Sequence, residues 1–162
     1  MQFALRPLTL DDTAAVHDWA CLPESRRYQA WGPNTYEQTE EYVRAAVAAP
    51  PDRYVFGVLV GGQVVGSAEL KLHGPSTGEI AYAVHPRVWG QGVATAAARE
   101  LLRVGFSVYG RHRVFGTCDP RNVASAAVLR KVGMRYEGRM RGTAYIRDGW
   151  RDSDLYAILV DD

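Results

Sequence analysis

Gly90 and Gly92 stand two residues apart in HPRVWGQGVATAAARELL, residues 85–102, just before an alanine-rich helical pattern. Glycines at the mouth of a helix leave backbone N–H groups unshielded, and with the helix dipole these make an anion site suited to phosphate. Two rival phosphate loops fail on spacing. The dinucleotide pattern G-x-G-x-x-G needs a third glycine where Thr95 stands, and a Walker A loop needs G-K-[ST], which is absent. Cys21 and Cys118 lie outside any C-x-x-C spacing and away from paired histidines, so neither a metal site nor a disulfide framework is expected. Neither has a base beside it in sequence, which leaves no covalent nucleophile and suits two idle thiols in a cytoplasmic protein.

The elements that must position this loop follow from periodicity and punctuation. Phe3 to Leu10 alternates as a strand, Asp11 or Asp12 caps a helix through TAAVHDWACL, and WGPNT is a loop. Asn34 or Thr35 caps a second helix that ends at PPD. RYVFGVLV, QVVGSAELKL and GEIAYAVH form an antiparallel meander joined by GG and HGPSTG. From Gln91 to about Val108 the pattern is helical, with Ala94, Ala97, Leu101 and Val104 on one face. His112 to Cys118 is a short buried strand and DPRNVASAAVLRKVG a short helix; two further strands flank an RDG turn. The order is β-α-α-β-β-β-α-β-α-β-β, an α+β fold with a mixed, mostly antiparallel sheet of about seven strands and about four helices packed on it.

With 162 residues the chain suits one domain, residues 1–162, and its 47% apolar and 23% charged composition is that of an ordinary globular protein. A formal net charge of +1 provides no global field to recruit nucleic acid or an anionic membrane, and neither is expected as a partner. The opening MQFALRPLTLDD lacks the basic stretch and long apolar run of a secretory signal or anchor, and no apolar run approaches the ~20 residues of a membrane span.

Arg87 through Gly92 reads R-x-x-G-x-G, which resembles the acetyl-CoA loop of the GNAT superfamily of N-acetyltransferases, and the order of elements is similar to that family across nearly the whole chain. WGQGVATAA, CDPRNVASAAVLRKVGM and WRDSDLYAIL resemble its RimJ/RimL branch, which acetylates ribosomal-protein N-termini and includes many small-molecule acetyltransferases.

The resemblance implies acetyl-CoA as co-substrate. It places Ala83 and Val84 beside pantetheine, with a backbone N–H near Val84 polarising the thioester carbonyl. Arg87, Val88, Trp89, Gly90, Gln91, Gly92, Val93, Ala94 and Thr95 form the cofactor loop, the pyrophosphate lying on amides from about Trp89 to Ala94. Asn122 matches an asparagine that binds the pantetheine arm, and Ser125 a serine near the sulfur, which protonates or stabilises the departing thiolate. Read without the family, Asn122 is a helix N-cap and Ser125 a small packing residue. The family's frequent tyrosine acid further along this helix is absent, alanine and leucine standing there.

Attack on a thioester needs a neutral amine, hence a base. An α-amine with pKa near 8 is more often neutral than a lysine amine near 10.4, a gap of roughly 3 kcal/mol, and tolerates a weaker or water-relayed base. Glu79, on the strand that would carry the thioester, is the first candidate base, followed by Glu69 and His85. The same branch lines its acceptor cleft with the regions that here supply Tyr28, Trp31, Tyr36, Tyr145 and Trp150, with Glu24, Arg27, Asp148 and Asp152 nearby. Aromatics beside carboxylates suit a cationic amine, with packing at the core edge the alternative for each. The expected activity is direct acetyl transfer to a small-molecule amine or a protein N-terminus, by a protein whose sheet edge also suits a homodimer. A non-catalytic acyl-CoA sensor and a transferase of longer acyl groups such as succinyl are the alternatives.

Overall fold

The computed structural model describes residues 2–147 and 149–162. Its elements are β1 (Phe3–Pro7), α1 (Thr13–Ala20), α2 (Tyr36–Val47), β2 (Arg53–Val60), β3 (Gln63–His73), β4 (Thr77–Val84), α3 (Val93–Arg103), β5 (Arg113–Cys118), α4 (Val123–Lys131), β6 (Arg135–Ile146) and β7 (Gly149–Leu159). This is the expected order. The strands form one sheet in the order β1-β2-β3-β4-β5-β7-β6, in which only β4 and β5 are parallel.

Strand alternation divides two cores between the sheet's faces. Val65, Ala68 and Leu70 of β3 meet Ala97, Ala98 and Leu101 of α3 and Leu129 of α4 on one face. Val16, Trp19 and Ala20 of α1 meet Val43 and Ala46 of α2, with Leu8 and Val55, in the other core. Small residues on α3 let that helix lie close to the strands, as its alanine pattern suggests. Gly66 serves a similar purpose between strands: a Cβ there would lie 2.4 Å from the Ala83 carbonyl oxygen, so only glycine lets β3 press against the end of β4.

Three boundaries differ from the sequence expectation. β1 stops at Pro7 rather than Leu10 because the Asp12 carboxylate turns back to accept from the Thr9 amide (2.8 Å) and from both Arg6 guanidinium nitrogens (2.7 and 2.8 Å). Leu10–Asp12 is therefore a 3-10 turn, and Asp12 precedes α1 without bonding its N–H groups. α3 starts at Val93, after Gly92, and beyond Arg103 it loosens into a π turn over Val104–Val108, closed by Tyr109 N–H donating to the Val104 carbonyl (3.1 Å). α2 is capped by Thr35, whose hydroxyl accepts from Gln38 N–H while the Gln38 side chain accepts from Thr35 N–H. Among the described residues no helix is long and apolar enough to cross a membrane.

Candidate active site

The sheet opens where its one parallel pair ends. β4 and β5 are paired only from Thr77 to Glu79 against Arg113 to Phe115; beyond that the rest of β4 runs free of β5. His85 N–H donates to the Val65 carbonyl at 2.7 Å, so alternation turns the peptide groups of Val84 the other way, into the gap. The Val84 carbonyl is already taken by the Trp89 indole N–H (2.9 Å), which ties the following loop to the strand end. Pro86–Val88 is a 3-10 turn capped by His85 Nδ1, which accepts from Arg87 N–H at 3.0 Å.

Gly90 and Gly92 then adopt left-handed φ values of 74° and 81°, and Gly92 is the N-cap of α3. Open space lies where a Cβ at either would point. The result is a cleft of about 510 Å³ fronted by backbone N–H groups and the first turn of α3. Of the residues expected to hold a cofactor, Ala83, Val84, Val88, Trp89, Gly90, Gly92, Val93, Ala94, Thr95, Asn122 and Ser125 line it. Arg87 and Gln91 do not: the Arg87 guanidinium turns to Asp18 (3.5 Å), and the Gln91 side chain donates to the Arg87 carbonyl (2.9 Å), bracing the loop from behind. Arg27, Arg121 and Lys131, against Glu24, give the cleft a basic rim that motif reading missed, since these cations come from three separate segments.

A second cavity, of about 1040 Å³, includes the face of β3 and β4 toward α2. Of the residues expected at the acceptor, Tyr28, Trp31 and Glu79 line it; Tyr145 does not, standing exposed and edge-on to Trp150 with ring centroids 5.5 Å apart. Tyr36 packs edge-on against His17 instead, Glu24 and Arg27 belong to the smaller cleft and Asp152 to the larger, while Asp148 lies outside the described residues. On the cavity face Tyr42 donates to Ser67 (3.2 Å), and Arg53 holds Glu69 through two bonds of 2.9 Å.

The three candidate bases are placed differently. Glu79 meets His73 Nε2 at 2.7 Å and faces the cavity. Glu69 shares the cavity but is engaged by Arg53. His85 lines neither hollow; its Nε2 approaches Asp18 at 3.2 Å while Nδ1 caps the turn. Cys118 lines the larger cavity with its thiol pushed up to about 11, first by burial and then by the Asp154 and Asp119 carboxylates, so it is not a thiolate at neutral pH.

Six residues line both hollows: Tyr28, Gln29, Tyr82, Ala83, Asn122 and Ser125. The Asn122 side-chain oxygen accepts from Ser125 N–H at 3.1 Å, so Asn122 is indeed the N-cap of α4; no bond within the described protein occupies its NH₂ group. Tyr82 reaches from β4 to α4, its hydroxyl 3.1 Å from Ser125 Oγ and 3.4 Å from the Ser125 carbonyl oxygen. Burial raises its phenol well above the ordinary value, so it stays protonated. Sequence reading overlooked Tyr82, although alternation with Ile80 and Val84 puts it on the α4 face.

Residues 2–135 match the family model for the GNAT acetyltransferase domain. The chain belongs to the GNAT acetyltransferase family. It is 27% identical over 161 residues to spermidine N(1)-acetyltransferase of Escherichia coli K12, covering 96% of this chain and 84% of that one. A GNAT-family acetyltransferase structure from Bacillus anthracis superposes with a TM-score of 0.91 at 31% identity, covering 100% of this chain and 97% of the other. RimL, the ribosomal L7/L12 α-N-protein acetyltransferase solved with coenzyme A, shares the fold at a TM-score of 0.87 and 19% identity, over 99% and 96% of the two chains. The protein is thus an N-acetyltransferase of a family that uses acetyl-CoA, and the glycine-opened cleft fits that donor: bare N–H groups and basic side chains for phosphates, and an unpaired strand edge for a peptide-like arm.

Proposed function

We propose that this enzyme transfers acetyl from acetyl-CoA directly to a primary amine entering the larger cavity, both substrates being bound together, and that it is a RimJ/RimL-like member of its family. The observation that carries this reading is the wall of six residues shared by the two hollows, where a thioester and an amine would meet without an enzyme-bound intermediate. Acetyl-CoA supplies the activated acetyl group. Amides after Trp89 and up to about Ala94 hold its pyrophosphate, the Trp89 N–H itself being donated to the Pro86 carbonyl (3.1 Å); the Val84 amide polarises the thioester carbonyl, and the Asn122 NH₂ group binds the pantetheine arm. Ser125 donates a hydrogen bond to the departing sulfur; a serine hydroxyl is a much weaker acid than a thiol, so stabilisation rather than full proton transfer is its task.

Glu79 receives the amine proton through water. Three residues of strand, about 10 Å along the backbone, separate it from Tyr82, a spacing that a bridging water suits. Among the described residues Glu41, Glu69, Glu79, Asp119 and Asp152 outnumber Arg53, Lys71 and Arg151 around the larger cavity, which favours a cationic acceptor beside Tyr28 and Trp31. The named relatives act on spermidine and on a protein α-amine, and both are amines of that kind. A cytoplasmic location, suited to the free Cys21 and Cys118, a homodimer through the edge strand β6 and a single domain over residues 1–162 belong to the same proposal.

Thiol release from acetyl-CoA over ribosomal-protein N-terminal peptides, amino acids, polyamines and aminoglycosides tests it. Turnover on one class names the acceptor, and faster turnover with succinyl-CoA would move the assignment to a longer acyl group. Tight coenzyme A binding without turnover on any amine would overturn direct transfer to an amine.

A further inference from the structure

The gap between β4 and α4 is bridged at one point by a hydrogen bond between two hydroxyls, Tyr82 and Ser125. Each hydroxyl has one proton and can also accept, so the pair can be ordered in two ways. If Ser125 donates to Tyr82, the serine proton is used up inside the protein and nothing is left for a ligand sulfur. If Tyr82 donates to Ser125 Oγ, the serine proton is free to point into the shared wall. Three features favour the second order. Both hydroxyls keep their protons, the phenol's held there by burial, and of the two the phenol O–H is the stronger acid and so the better donor. The other acceptor within its reach, the Ser125 carbonyl, is more distant at 3.4 Å against 3.1 Å. Ser125 N–H is fixed by Asn122, which holds the first turn of α4 and hence the hydroxyl in place.

We propose that Tyr82 is a positioning residue for the transfer step: by donating to Ser125 Oγ it turns the serine O–H toward the coenzyme A sulfur and strengthens it as a donor. This rests on the assignment of Ser125 made above. In the transfer itself the amine nitrogen forms its bond to the acetyl carbon and the C–S bond breaks. The electron pair of that bond stays on sulfur, where the Ser125 O–H meets it, and the amine proton leaves to Glu79 through water. Tyr82 and Ser125 both keep their protons throughout. Donor chains of this kind reinforce one another, and the benefit is largest when the acceptor is an anion.

The same arrangement acts on the product. Free coenzyme A carries an alkyl thiol, whose ionised fraction grows as the solution is made alkaline. A donor aimed at sulfur favours the thiolate, so the wild type gains affinity for coenzyme A over desulfo-coenzyme A as pH rises toward 9. Calorimetric titrations of the two ligands at pH 7 and pH 9 on the wild type, Tyr82→Phe, Ser125→Ala and the double variant read this without turnover. Tyr82→Phe keeps the buried ring and removes only the hydroxyl. The pH-dependent preference is expected to fall in Tyr82→Phe and Ser125→Ala, with the double variant no worse than Ser125→Ala. In turnover, Tyr82→Phe is expected to lower kcat about threefold to tenfold with KM for acetyl-CoA unchanged, the size of one lost hydrogen bond.

A loss in Ser125→Ala with wild-type behaviour in Tyr82→Phe, or additive losses in the double variant, would overturn the role of Tyr82 while leaving that of Ser125 standing. A Ser125→Ala protein indistinguishable from the wild type would remove the assignment of Ser125 and the role of Tyr82 with it. Equal weakening of both ligands in Tyr82→Phe would show a bond that only holds α4 against β4, and would also overturn the proposal.

Discussion

The two hollows that meet at Ser125 are built on opposite principles. The smaller is organised around backbone: a strand edge released from its neighbour, two left-handed glycines and the first turn of α3, closed by the loop after α1 and by α4, with cations at the rim. The larger is lined from α1, α2, the loop between them, α4 and six strands, β2 to β7, and its charged groups are mostly acidic. A backbone site serves a ligand portion common to every turnover, because it needs only bare N–H groups in a fixed path. A side-chain site can be changed without disturbing that path, so a cavity of the second kind is free to vary while a cleft of the first kind stays the same.

Gly92→Glu strikes this division hardest. It forces a side chain into a φ of 81° and sets a carboxylate where phosphates belong, so coenzyme A affinity by calorimetry should fall on the order of 100-fold, with the fold retained by circular dichroism. Unchanged affinity would contradict the backbone site. On the other side, Glu79→Gln should leave coenzyme A affinity intact and lower kcat about 100-fold at neutral pH, as loss of a general base does. A variant that loses coenzyme A binding instead would blur the two sites. Ser125→Ala, at the junction, is expected to lower kcat about tenfold or more, the worth of a hydrogen bond to a charged atom. Cys118→Ala should change kcat less than twofold, since a thiol held at about 11 supplies no nucleophile.

The smallest effect lies far from both hollows. Arg6 holds the Asp12 carboxyl below its ordinary range, chiefly through their hydrogen bonds. A carboxylate depressed in this way adds stability above its unfolded pKa, near 3.9, and loses it as pH falls through the folded value. Asp12→Asn should therefore lower Tm by a few degrees at pH 7, and the deficit should shrink below about pH 3. An equal deficit at both pH values would mean that packing, not charge, links β1 to α1.

The contrast also explains what could be read from the chain. The glycine loop of the smaller cleft was legible because its parts are consecutive: Gly90, Gly92 and the alanines of α3 form one stretch, and glycine is demanded by the backbone itself. The order of strands and helices was legible for the same reason, each element carrying its own period and punctuation. Boundaries set by side chains reaching back along the chain were not. Asp12 reads as a helix cap, yet its carboxylate turns toward Arg6 and Thr9 and ends β1 early. The larger cavity was legible only in part, since proximity there is decided by the sheet. Tyr145 belongs to the expected hairpin but points away, while Tyr82, 43 positions before Ser125, is brought against it by the splay of β4. Arg27, Arg121 and Lys131 come from separate parts of the chain and meet only at the rim of the smaller cleft.

The most direct test of transfer between two hollows that meet is a rate measurement with both substrates varied, joined to intact-mass analysis of enzyme mixed with acetyl-CoA alone. Direct transfer predicts intersecting double-reciprocal lines and no acetyl mass on the protein. Parallel lines together with an acetylated protein that passes its acetyl group to an added amine would contradict it.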